Sequence, residues 1–150
     1  MQNLQHFMAD DHRRCDLLFV EVEQSVGAGA WAQASEAFAC FEHAVLQHFL
    51  AEESSLFPAF EEKTGMSTGP TQVMRGEHVQ MRELLEAAHE ALAAQDADEY
   101  LGNAETLLIM MQQHNTKEEN VLYPMCEQFL AGQLGLLLQQ LQRTIQAPKD

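Results

Sequence analysis

The sequence predicts an all-α protein: four long helices in an up-down-up-down antiparallel bundle, followed by a short extra C-terminal helix. Three observations predict it. Apolar residues recur at steps of three and four along four long stretches, the period of a helix with one buried seam. The 8 glycines and 4 prolines are few and mostly clustered, which suits long helices joined by short turns. The stretch His48-Phe49-Leu50-Ala51-Glu52-Glu53-Ser54-Ser55-Leu56-Phe57-Pro58 is answered 66 residues later by His114-Asn115-Thr116-Lys117-Glu118-Glu119-Asn120-Val121-Leu122-Tyr123-Pro124. The shared pattern is H-x3-E-E-x2-L-[FY]-P, and it reads as a duplicated helical hairpin rather than a solenoid, which needs more units.

Taken in order, the first helix runs from about residue 4–10 to Val26 and stops at Gly27-Ala28-Gly29. Its seam is Met8, His12, Cys15, Phe19, Val22 and Val26. The second runs from about Trp31 to Lys63, with the seam Phe38, Phe41, Val45, His48 and Glu52. It is stopped by Thr64-Gly65. Pro58 falls inside it and should kink its last turns. The third starts at Pro70, with proline in the first turn, carries Met74, His78, Met81, Leu85, Ala88 and Leu92, and ends near Ala94. Asp96 or Asp98 caps the fourth, whose seam reads Tyr100, Ala104, Leu107, Met111, His114, Glu118, Val121 and Met125, with Pro124 repeating the kink. The bundle thus covers about residues 4–130 of a single domain, 1–150. The last helix, about 133–146, places Leu134, Leu137, Leu138, Leu141 and Ile145 on one side. That side packs on the bundle or forms a homodimer with a second copy. Pro148-Lys149-Asp150 is expected to fray.

Composition narrows the function. The formal charge of −15, from 23 Asp and Glu against 8 Lys and Arg, leaves no basic patch for nucleic acid or an anionic membrane. No apolar run reaches the ~18 residues of a membrane span, and Met1-Gln2-Asn3-Leu4-Gln5 lacks the pattern of a signal peptide. Cys15, Cys40 and Cys126 are odd in number and scattered. They read as small buried residues in a cytoplasmic protein.

The seams converge on one site. On a helix, His and Glu four residues apart share a face. Going back 36 residues from His48 and from His114 gives His12 and His78, each preceded by an acid, Asp11 and Glu77. In an antiparallel bundle, positions early in one helix and late in the next share a level. At ~1.5 Å per residue His12 and His48 differ by about one turn. His12, His48, Glu52, His78, His114 and Glu118 therefore meet in one core layer. Two facing buried carboxylates without a partner cost several kcal/mol each or are neutralised. A network of His–Glu hydrogen bonds is one solution and a metal ion the other. For six groups on four seams the metal is expected. Six ligands exceed the four of a structural zinc site and suit two metals, each with two imidazoles and with the carboxylates spanning the pair. Nitrogen and oxygen donors suit iron, manganese or zinc.

At these residues the chain resembles the haemerythrin-like (HHE) cation-binding family, over about residues 8–130. The resemblance rests on Asp11-His12, His48-x3-Glu52-Glu53 with Leu56-Phe57-Pro58, Glu77-His78 with Met81-Arg82, and His114-x3-Glu118-Glu119 with Leu122-Tyr123-Pro124. It implies two iron ions with an oxo or hydroxo bridge, His12, His48, His78 and His114 as terminal ligands, and Glu52 and Glu118 as bridges. Oxygen-carrying haemerythrins have a fifth histidine one turn from the ligand of the third helix. Here those positions hold Met74 and Arg82, a pattern closer to members linked to nitric oxide, peroxide or iron handling.

Met8, Cys15, Val45, Met74, Met81, Met111, Leu56 and Leu122 are the expected apolar surroundings, suited to a small ligand such as O2 or NO. Tyr123 lies some 140° around an α-helix from Glu118 and is not expected to be a ligand, though the kinked end could let it supply a proton or an electron. His6, His43 and His89 fall off the repeat. Asp11, Glu53, Glu77 and Glu119 are available to accept from the outer ring nitrogens, without assigned pairs. The expected function is binding or reaction with O2 or NO for sensing, scavenging or transfer. A metal-stabilised interaction module is the alternative, and peroxide or ferroxidase chemistry ranks last because no separate acid–base pair is visible.

Overall fold

The computed structural model describes residues 3–149. The readings placed on Met1, Gln2 and Asp150 lie outside the described residues. Four long helical arms stand antiparallel, and the two arms of each hairpin pack along their lengths. Helix α1 is Leu4–Gly27, and Asn3 caps it by accepting from the His6 N–H at 2.7 Å. The second arm is α2, Trp31–Ala51, then a π-helical turn, Glu52–Leu56, then α3, Phe57–Thr64. Gly65 ends it with φ of 73°, a left-handed cap that glycine adopts without strain. Helix α4 is Pro70–Ala93. The fourth arm repeats the second: α5, Ala97–Lys117, a π-helical turn, Glu118–Leu122, and α6, Tyr123–Phe129. Asp96 caps α5 by accepting from the Glu99 N–H at 3.1 Å.

The kinks expected at Pro58 and Pro124 take this π-helical form. In an α-helix each proline ring would collide with the carbonyl four residues back, that of Ser54 or Asn120. Widening the turn by one residue relieves the collision. The N–H of Phe57 then donates to the carbonyl of Glu52, and that of Tyr123 to the carbonyl of Glu118, five residues away in each case.

That extra residue also corrects the seam of the fourth arm. Val121 is 52% exposed and Met125 only partly buried, whereas Leu122, Tyr123 and Cys126 are buried. The α-helical period that places Val121 inward fails at the π turn. Elsewhere the seams are buried as expected, from Met8 through Val26, Phe38 through Glu52, Met74 through Leu92 and Tyr100 through Glu118. Cys15 and Cys126 are buried, but Cys40 is exposed. It sits between the seam residues Phe38 and Phe41, on the outward side of α2.

A short 3-10 turn, Ala131–Gln133, leads to α7, Leu134–Ile145. Helix α7 lies on the chain's own bundle, against α2 and the first π turn. Leu137, Leu141 and Ile145 are buried there, each worth about 1.5–3 kcal/mol. No single described helix is long and apolar enough to cross a membrane. The core has two apolar bodies. One, around Phe19, Phe38, Phe41 and Leu107, fills the end with the short loops. The other, around Leu4, Phe57, Phe60, Tyr123 and Leu137, fills the end covered by α7. The polar layer lies between them.

Candidate metal centre

The six side chains singled out by spacing converge in that layer. His12, His48, His78, His114, Glu52 and Glu118 are each at most 5% exposed. The imidazoles form two pairs, His12 with His48 at 4.6 Å between ring centroids and His78 with His114 at 4.9 Å. The carboxylates stand between the pairs. Glu118 Oε1 is 3.1 Å from His12 Nε2 and 3.3 Å from His114 Nε2. Glu52 lies 3.5 Å from His48 Nε2 and 3.1 Å from His78 Nε2. Each carboxylate thus faces one imidazole of its own arm and one of the other hairpin.

The outer nitrogens show why every Nε2 points inward. His48 Nδ1 is 2.7 Å from Asp11, His114 Nδ1 is 2.8 Å from Glu77, His78 Nδ1 is 2.6 Å from Glu53 and His12 Nδ1 is 2.7 Å from Glu119. The four pairs obey the same 66-residue repeat as the motif. An ionised carboxylate only accepts, so each Nδ1 carries the proton and donates it, and each Nε2 faces the centre, where it offers a lone pair once the imidazole is neutral. The acids are held in turn. Asp11 accepts from Arg14 at 2.9 Å, Glu53 from both ends of Arg82 at 2.9 Å, and Glu77 from Lys117. Arg82 turns outward to Glu53 and does not enter the site.

The electrostatics are those of a place made for positive charge. Burial alone would lower the pKa of each imidazole, but the facing carboxylates outweigh it. His12 and His78 are raised, His48 well above its ordinary value, and His114 to about 9. Burial would raise Glu52, but the charge of His48 and hydrogen bonds within the cluster hold it well below the usual carboxylate range. Glu53, raised by burial, is pulled down to about 2 by His78 and Arg82. Even so, the buried atoms Glu52 Oε1, His78 Nε2, His114 Nε2 and Glu118 Oε2 make no hydrogen bond. Orphaned buried atoms are costly. A cation is the partner that their shared position suits. Two groups can hold one, Glu52, His78, His114 and Glu118 together, and His12, His48 and Glu118 together, with the ligand atoms of each group within 4.8 Å of one another.

The family model of the Hemerythrin HHE cation binding domain matches residues 3–126. The chain belongs to this family. No curated protein and no solved structure matches it. The buried His/Glu cluster of this HHE domain is consistent with a cation site of two metals.

Tyr123 is the residue that the helical reading places wrongly. The π turn brings position five past Glu118 to where position four would stand in an α-helix. Its hydroxyl is buried in the cluster, 2.7 Å from Glu52 Oε2 and 3.0 Å from Glu118 Oε1. Burial, then the charges of Glu118 and Glu52, push its pKa well above the ordinary value. The signal was Pro124, whose ring forbids a regular helix at that point. His6 and His89 are exposed and His43 is half-buried with Nε2 3.2 Å from the carbonyl of Ala147, so none of the three reaches the centre.

The expected apolar surroundings divide in two. Cys15, Val45, Met81 and Met111 line a cavity of about 10 Å³ together with His12, His48, Phe49 and Asn115. Met8, Met74, Leu56 and Leu122 lie on the far side, with Tyr123. Burial raises the Cys15 thiol to about 11, so it is a neutral wall rather than a nucleophile.

Proposed function

We propose that this chain is a non-haem di-iron protein that binds or reacts with a diatomic ligand, O2 or NO, for sensing, scavenging or transfer. The residues that would hold the ions are His12 and His48 at one position, His78 and His114 at the other, and the carboxylates of Glu52 and Glu118 between them. Iron held there would supply the electrons that a bound diatomic takes up. The protein supplies four oriented imidazoles, two carboxylates and a dry wall.

The observation that carries the reading is the inequality of the two halves. Phe49 stacks on His78 at 3.9 Å and 14°, and Phe57 lies over the same ring at 5.7 Å. The residue equivalent to Phe49 in the second copy is Asn115, a smaller side chain. The cavity opens there, against His12 and His48. Its volume of about 10 Å³ is at the lower limit for one water-sized molecule, and its walls are mostly apolar, a lining that favours a small apolar ligand.

The test is an anaerobic titration of the reduced, iron-loaded chain with O2 and then NO, followed by visible absorption, on wild type and Asn115→Phe. The reading expects a spectral response in wild type that is lost or strongly slowed in the variant at unchanged iron content. No response of the wild type to either gas leaves the metal a structural part of an interaction module, a reading favoured by the near-complete burial of all six side chains.

A further inference from the structure

The two copies of the motif differ by one oxygen atom inside the site. Phe57 and Tyr123 are equivalent by the 66-residue repeat, and they sit alike. Phe57 stacks on His78 at 5.7 Å and 27°, Tyr123 on His12 at 5.8 Å and 24°. Only Tyr123 carries a hydroxyl. Besides the two carboxylate oxygens, that hydroxyl lies 3.2 Å from His48 Nε2 and 3.3 Å from His12 Nε2.

A phenol has one proton to give. Two carboxylate oxygens compete for it, so one of these contacts sets lone pair against lone pair. In the neutral, metal-binding form the two Nε2 atoms add their own lone pairs to the same spot. Five electron-pair donors, the phenol oxygen included, converge on one buried point. Protonated imidazoles satisfy that oxygen by donating Nε2–H to it; once both are neutral, as metal binding requires, the point suits a cation. The other half lacks such an oxygen, and the orphaned His78 Nε2 and His114 Nε2 lie there.

We propose that Tyr123 is a phenolate ligand of the ion held by His12 and His48, a seventh protein ligand that makes the two metal positions chemically unequal. The proposal rests on the di-iron reading above. On loading, the O–H proton is released to solvent and the oxygen electron pair goes to the cation, as for any ligand that must deprotonate to bind. The phenolate approaches from the side of α6 and α7, whereas the cavity lies on the opposite side, among Cys15, Val45, Met81 and Met111. Tyr123 would therefore bind from the side away from the cavity and leave the cavity side free for a small ligand.

The experiment loads wild type and Tyr123→Phe with iron, oxidises both to the ferric form, counts the metal and records the visible spectrum. The expected result is two irons per chain in both, with a phenolate-to-iron charge-transfer band in wild type that Tyr123→Phe lacks. Resonance Raman excitation within the band should enhance phenolate ring vibrations in wild type, a reading that does not depend on the variant folding. Two irons without that band or those vibrations overturn the proposal alone. So does a band that survives Tyr123→Phe, or one iron in wild type rising to two in the variant, which would mean that the phenol stands in place of an ion. A chain that takes up no iron overturns the di-iron reading as well.

Discussion

Glu53→Gln should weaken one of the two ions and spare the other. Glu53 accepts from His78 Nδ1 at 2.6 Å and is clamped by Arg82 at 2.9 Å. Its carboxyl falls from 4.5 to about 2, which at about 1.4 kcal/mol per unit is about 3 kcal/mol of interaction. The side chain is 23% exposed and shares its charge with Arg82, so screening reduces this to about 1–2 kcal/mol. Loss of a carboxylate behind a ligating histidine generally costs ~10–100-fold in metal affinity, or about 1.4–2.7 kcal/mol, in agreement. The amide still accepts a hydrogen bond but no longer polarises the imidazole or fixes its tautomer. The assay is a chelator competition with metal counting. It should turn biphasic, with the ion at His78 and His114 released first. Glu119→Gln, behind His12, should release the other ion first. Wild-type affinity for both ions in Glu53→Gln, or equal weakening of both, refutes the reasoning.

Other outcomes follow from the same geometry. His114→Ala should lose one ion and Glu118→Ala both, with a fall in melting temperature, because metal binding is coupled to folding; full iron retention in both variants contradicts the ligand assignment. In the metal-free chain His114 rises from 6.5 to about 9. A raised imidazole stabilises the fold fully below 6.5 and loses that contribution as pH climbs through about 9. Thermal melts of the metal-free chain should therefore drop across that window, while metal affinity rises over it as protons stop competing; a metal-free stability that rises from pH 6.5 to 9 contradicts this.

Much of this site was legible because it obeys the helical period. His12, His48, His78 and His114 replace apolar residues on regular seams, and Glu52 and Glu118 follow one turn later. Antiparallel packing then puts all six at one level. The outer acids were legible as a set but not as pairs, since Glu53 reaches across to His78 rather than serving a residue of its own arm. That choice is made by helix neighbours, which spacing along one helix does not encode. Tyr123 was misplaced because 100° per residue holds only in an unbroken α-helix. Pro58 and Pro124 announced a break but not its form, and a widened turn shifts the phase where a simple kink would not. The unequal halves are visible in the aligned copies as Phe49 against Asn115 and Phe57 against Tyr123, yet only packing shows that the first difference opens a cavity and the second adds an oxygen.

The most direct test of the account is Mössbauer spectroscopy of the chain loaded with iron-57 and oxidised to the ferric form, with iron counted on the same sample. Two unequal halves predict two irons per chain and two quadrupole doublets of equal area. One iron per chain, or a single doublet from two equivalent irons, contradicts the account.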